Sequence, residues 1–228
     1  WRAQPLMGPL AGGVALVLSV VALLLFLALA AASFVRWQRH PQAWLDDLRH
    51  PVRHTFIAAI PISGLLLTAL AAALDLRGTP VVVAWWAASL LQLAVTVRLL
   101  ARWWQPGGLP WAGITPALLM PVVGNVLAPL GGVPLGQVVW SAAQFGIGVL
   151  FWPLVLALVA VRLAVQGPWS DRLRPTAFIV IAPPAVVGSA LLDFGAPVLL
   201  AWGCWGVALF SLLWAGGQAR GLASVPFA

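Results

Sequence analysis

Residues 103–161 read WWQPGGLPWAGITPALLMPVVGNVLAPLGGVPLGQVVWSAAQFGIGVLFWPLVLALVAV, a run of 59 residues without one acidic or basic side chain. A helix that spans a membrane needs about 20 apolar residues, at roughly 1.5 Å of rise each across about 30 Å of hydrocarbon. The run is long enough for two such helices and a turn. Pro129-Leu-Gly-Gly-Val-Pro-Leu-Gly136 supplies the turn, since helix breakers cluster where a chain reverses. A pair of membrane helices at the centre of the chain sets the class of everything around it.

Working outward, five further charge-free stretches appear: 3–35, 55–74 and 78–97 before the central run, 175–192 and 194–219 after it. The sequence therefore predicts seven spans, roughly 9–33, 55–74, 79–97, 114–131, 138–161, 175–192 and 195–216. Composition agrees: 62% of residues are hydrophobic and 7% charged, where a soluble domain carries about 25% charged residues. The mean hydropathy is +1.01. The apolar runs are continuous rather than alternating, which excludes a β-barrel. The predicted class is all-α, a polytopic membrane protein in which residues 1–228 form a single transmembrane domain.

Charge sets the orientation. All 12 basic residues are Arg. With seven spans, ten fall in one set of loops (36–53, 98–102, 162–174 and 220) and two, Arg2 and Arg77, in the other. Basic residues accumulate on the cytoplasmic side, so the N-terminal end lies outside and the C-terminal end in the cytoplasm. The net charge of +7 is this topogenic bias and implies no nucleic-acid partner. Cys204 stands alone in the last span and reads as an apolar filler.

The spans are not equivalent. Pro61, Pro121 and Pro183 lie inside the second, fourth and sixth, 60 and 62 residues apart. Thr55, Thr115 and Thr176 precede them by six, six and seven residues, and Gly64, Gly124 and Gly188 follow by three to five. Pro153 in the fifth span weakens the alternation. A proline within a helix removes one hydrogen bond and clashes with the carbonyl four residues back. In hydrocarbon the freed carbonyl needs a new partner, so broken helices face protein or water. The repeat predicts an inner layer of kinked spans and an outer, lipid-facing layer of straighter ones. Trp85, Trp86, Trp103, Trp104, Trp111, Trp152 and Trp214 lie near span ends, where tryptophans favour the interface. Extended one period each way, the repeat expects kinked helices near positions 0 and 244, so the chain reads as a fragment of a longer protein.

Four stretches carry a family resemblance: His50-Pro-Val-Arg-His-Thr-Phe-Ile-Ala-Ala-Ile-Pro-Ile-Ser63, Pro116-Ala-Leu-Leu-Met-Pro-Val-Val-Gly-Asn-Val-Leu-Ala-Pro129, Phe145-Gly-Ile-Gly-Val-Leu-Phe-Trp152 and Arg172-Leu-Arg-Pro-Thr-Ala-Phe-Ile-Val-Ile-Ala-Pro-Pro-Ala185. In this order they resemble the tellurite-resistance/C4-dicarboxylate transporter family, related to the plant slow anion channels of the voltage-dependent anion channel superfamily. The resemblance implies ten helices in repeated hairpins around a pore lined by the proline-kinked helices, in a homotrimer. By it the chain covers family helices two to eight, from Trp1-Arg2 to Val225-Pro-Phe-Ala228. The family's gating phenylalanine belongs to the ninth helix and falls on no residue of this chain.

Candidate pore-lining and kink residues are Thr55, Pro61, Ser63, Thr115, Pro121, Asn125, Thr176 and Pro183, with Ser189 a further hydroxyl. Asn125 either meets an anion through its NH2 or bridges the break at Pro121; the bridge is favoured, since amides in spans bond across helices. The hydroxyls either meet an anion or bond back to their own helix, the commoner fate. Arg53, Arg98, Arg102, Arg172 and Arg174 sit at the cytoplasmic mouths, where a ring of Arg attracts anions and where positive-inside topology alone also puts them. His50 and His54 read as solvated interfacial groups; a third metal ligand is missing beside them. Asp75 and Asp193 read as solvated external turns. The five acids are all Asp, and none lies within a span. No motif for a metal, a cofactor or enzymatic chemistry is present, and a proton-coupled carrier commonly needs an ionisable group in the membrane. The expected function is an anion channel or facilitator in the bacterial inner membrane. The alternatives are a carrier for C4-dicarboxylates, an exporter of oxyanions such as tellurite, or a membrane scaffold.

Overall fold

A computed structural model of the chain describes residues 9–219 apart from Pro51, with the side chains of residues 9–11, 172, 218 and 219 outside the described set. Arg2, Arg220 and the quoted termini 1–2 and 225–228 lie outside the described residues. Among those described the chain is helical throughout, with no strand. Helix α1 (Pro9–Arg39) leads into a short amphipathic helix, α2 (Pro41–Arg49). The first inner span runs through a 3-10 segment, Arg53–Ala58, into α3 (Ala59–Ala73), and α4 (Thr79–Trp103) returns. The middle inner span is four short pieces: a 3-10 turn at Pro116–Leu118, α5 (Leu119–Val123), a second 3-10 turn at Gly124–Leu127, and α6 (Ala128–Gly132). Helix α7 (Val138–Gln166) follows. The last inner span joins a long 3-10 segment, Asp171–Ile181, to α8 (Ala182–Asp193), and α9 (Val198–Ala219) completes the described chain.

Among the described residues, six segments are long and apolar enough to cross a membrane: 12–39, 53–73, 79–103, 138–166, 173–193 and 198–217. The seventh expected span, 114–131, is the broken run Pro116–Gly132. Several helices outrun the charge-free stretches, because Arg, Trp and Gln at a helix end lie at the water interface without breaking the helix. Thus α1 continues to Arg39 and α7 to Gln166.

The 3-10 segments follow from the prolines. A proline has no N–H for the carbonyl four residues back, so the preceding residue's N–H takes that carbonyl in a tighter i to i+3 bond. Ala128, just before Pro129, donates to Asn125 O, and Ala182, just before Pro183, donates to Ile179 O. The kinks are therefore local 3-10 windings, on the N-terminal side of the first and last inner spans and at both Pro116–Leu118 and Gly124–Leu127 in the middle one.

The repeat is also visible at the opposite ends. Asp75 (φ 64°), Gly136 (φ 78°) and Gly195 (φ 76°) adopt the left-handed conformation. At each the following residue donates back over five positions: Leu76 to Ala71 O (2.9 Å), Gln137 to Gly132 O (2.7 Å) and Ala196 to Leu191 O (2.9 Å). This is the Schellman closure of a helix C-terminus, made three times with a spacing near 60 residues. The repeated glycines mark close approaches. A Cβ on Gly64 would come within 2.9 Å of Ala88 Cβ, on Gly124 within 2.7 Å of Gln92 Nε2, and on Gly188 within 2.8 Å of Trp205 Nε1.

Burial is layered but uneven. From Gly113 to Gly132 every residue is buried except Met120 and Leu130, which are half-buried. In the most apolar stretch of α1 only 6% of residues are buried, against 17% for α7, 22% for α9, 28% for 53–73 and 39% for 173–193. Helix α4, at 33%, departs from the lipid-facing role expected of an outer span. It packs on both the first and the middle inner spans. For the same reason Trp85 is a correction to the interfacial reading of the tryptophans. It is fully buried at the centre of a cluster with Leu65, Ala72 and Ala128. Trp152 also lies mid-helix, in α7.

Candidate functional site

The N-terminal ends of the three inner spans are brought together: the Arg53–Ala58 and Asp171–Ile181 segments both pack against Pro116–Leu118. The expected Arg residues gather around them in particular roles. Asp47 of α2 accepts Arg36 and Arg53 at 2.7 Å each. Arg102 donates to Leu48 O and Arg49 O, the carbonyl end of α2, where a cation is favoured. Arg174 pairs with Asp171 at 3.0 Å, and Arg98 is exposed. Exposed pairs of this kind contribute little to stability, but they anchor α2 across α1, the first inner span and the end of α4. Arg162 donates to Gly167 O and lies 5.6 Å from the centre of the Trp169 ring, while Trp169 Nε1 donates to Ile114 O at 3.1 Å. The loops assigned by charge to one side thus touch one another.

His54 corrects the solvated reading. It is 2% exposed. Trp103 Nε1 donates to its Nε2 at 3.0 Å, so Nδ1 carries the hydrogen toward His50 O, 2.8 Å away. The 3-10 winding after Pro51 turns the ring inward against the end of α4 instead of outward to water. His50 itself caps the turn, its Nδ1 accepting from the N–H groups of Val52 and Arg53. Asp193 is half-buried at the end of α8 rather than solvated. A cavity of about 730 Å³ opens between α1, α2 and the first inner span, and Arg53, His54 and Ser63 line part of it.

The hydroxyls divide. Thr55 Oγ1 donates to Val52 O (2.8 Å) and Thr176 Oγ1 to Leu173 O (2.6 Å), equivalent bonds in the first and last inner spans. Thr115 is fully buried and its hydroxyl has no partner. Ser63 and Ser189 are half-buried, whereas Pro61, Pro121 and Pro183 are buried.

Asn125 is fully buried and donates to Thr96 Oγ1 (2.8 Å) and Val122 O (2.8 Å). It belongs to a larger polar chain. Gln144 Nε2 donates to Asn125 Oδ1 (3.1 Å) and Ser89 O (2.8 Å), Ser89 Oγ donates to Gln144 Oε1 (2.7 Å), and Trp140 Nε1 donates to Ser89 Oγ (2.7 Å). Gln92 Nε2 (2.9 Å) and Thr96 Oγ1 (2.6 Å) both reach Pro121 O, and Trp85 Nε1 reaches Ala128 O at 3.1 Å. Two outer spans, α4 and α7, thereby hold the middle inner span from either side.

The family model described as voltage-dependent anion channel matches residues 1–220. The chain belongs to the voltage-dependent anion channel family. No curated protein matches it. Membership in this family of channels and transporters makes the chain a multi-pass membrane protein that handles anions. The polar residues of the outer spans are not among the sequence candidates, whose intramembrane members all lie on proline-kinked spans. A signal was there. Ser89, Gln92 and Thr96 follow one another at spacings of three and four, and Gln144 follows Trp140 by four and Ser141 by three, so each set forms a polar stripe on an otherwise apolar helix.

Proposed function

We propose that this chain forms the core of an anion channel or facilitator. Small anions would pass along the inner layer, entering from the cytoplasmic side where the three 3-10 segments meet. The observation that carries the reading is the repeat itself. Three spans share one proline-centred break and one Schellman closure, and they pack side by side. Their N-terminal ends, carrying the positive pole of the backbone dipole, lie on the cytoplasmic side assigned by charge. Arg53, Arg98, Arg102, Arg172 and Arg174 would raise the anion concentration there. Thr55, Ser63, Thr115, Asn125 and Thr176 belong to the layer we assign to the pathway. All five acids are Asp, and the sequence puts none inside a span, which favours passive conduction over proton coupling. The assembly we propose is a homotrimer in a bacterial inner membrane.

The test is current from the intact protein in a planar bilayer. A steady current that reverses near the anion equilibrium potential is the expected outcome. A saturable exchange flux of a C4-dicarboxylate or an oxyanion without unitary currents would replace the channel by a carrier. No flux of any anion would leave a scaffold.

A further inference from the structure

A broken helix brings backbone carbonyl oxygens to the junctions between its pieces, and a carbonyl oxygen is the wrong end of a dipole to turn toward an anion. In a site shielded from water such a dipole is poorly screened. On each inner span, side chains donate to backbone carbonyl oxygens. On the first, Val52 O receives Thr55 Oγ1 (2.8 Å) and Leu65 O receives Thr68 Oγ1 (2.9 Å). On the last, Leu173 O receives Thr176 Oγ1 (2.6 Å) and Ala185 O receives Trp205 Nε1 (3.3 Å). On the middle span, which has two proline breaks, the donors come largely from α4: Gln92 and Thr96 to Pro121 O, and Trp85 to Ala128 O.

Two details separate this from ordinary helix packing. Gln92 is fully buried, yet its Oε1 has no hydrogen-bond partner among the described residues. A buried acceptor left unmade is costly, and an apolar side chain of the same size would avoid that cost. The residue is explained by the N–H it delivers. Gln92 also sits against Gly124, whose missing Cβ lets the amide reach the backbone. The glycine of the repeat and the amide of the outer span thus form one device.

Resting on the reading that anions pass along the inner layer, we propose that Gln92, Thr96 and Trp85 are specificity-determining positioning residues. They hold Pro121 O and Ala128 O of the middle inner span toward α4 and cap them, keeping these two negative poles out of the pathway. None of the three need touch the anion.

The experiment is the reversal potential of the intact protein in a potassium chloride gradient. The Gln92→Met/Thr96→Val double variant preserves size and removes both side-chain donors from Pro121 O. Its anion-over-cation permeability ratio is expected to fall about fivefold or more, with the reversal potential moving toward zero. Thr96→Ser keeps the hydroxyl and should behave as wild type. Should the double variant fail to reach the membrane, Trp85→Phe, which strips the donor from Ala128 O, is read in the same way. Current with an unchanged reversal potential in the conducting variants overturns this inference and leaves the channel reading intact. A silent wild-type protein overturns both.

Discussion

The middle inner span and its two flanking counterparts start from the same sequence device and end differently. Each has a threonine, a proline and a glycine in register. In the flanking spans the break is a single 3-10 winding at the N-terminal end, where Thr55 and Thr176 bond back to carbonyl oxygens of their own turn. The middle span carries Pro129 as well as Pro121, so it divides into four pieces, none longer than five residues. Pieces so short are not stable helices alone. They persist because α4 and α7 supply buried amides, indoles and close backbone contact. A helix can thus be broken once at its own expense, but a second break transfers its upkeep to the neighbours.

That contrast can be broken by substitution in order of effect. Trp85→Ala should be the most damaging, about 3 kcal/mol or more from the cavity and the lost bond to Ala128 O. Unfolding of the purified protein in mixed micelles would measure it, with Trp202→Ala, on the exposed face of α9, expected to shift stability little. Next is Gly148→Ala. A Cβ there would meet Val126 Cγ1 at 2.5 Å and Val126 N at 2.8 Å, so the cost is about 1–3 kcal/mol. Gly216→Ala on α9, with nothing within 4 Å, is its neutral control. Asn125→Leu should cost roughly 1–2 kcal/mol, since it leaves Gln144 short of an acceptor. The smallest effect belongs to the flanking spans, where Thr55→Val loses one local bond, roughly 0.5–1 kcal/mol. Equal losses from Asn125→Leu and Thr55→Val would erase the distinction between supported and self-sufficient breaks.

How much of this was legible in the sequence depends on which force set each feature. The spans and their breaks are written in local chemistry: apolar length, proline and glycine, and the Arg of the loops. Those features place Pro61, Pro121 and Pro183 in equivalent positions without any tertiary information. The Schellman closure after the first unit was hidden because Asp75 occupies the position held by Gly136 and Gly195 in the other two. The depth of Trp85 and His54 was illegible for another reason. An aromatic near a span end reads as interfacial until the packing of a second helix is known, and α4 is packed on both sides. Gln92 and Gln144 were passed over because a single amide in an outer span reads as tolerated polarity. Their role exists only once the middle span has been broken beside them.

Whether anions travel along the inner layer is decided by cysteine accessibility. In a Cys204→Ala background, Ser63→Cys and Ser189→Cys would be placed on inner spans and Leu199→Cys on the exposed face of α9. The account predicts that an anionic, membrane-impermeant thiol reagent blocks current through the two inner-span variants and leaves Leu199→Cys untouched. Block at Leu199→Cys with none at Ser63→Cys or Ser189→Cys would contradict it.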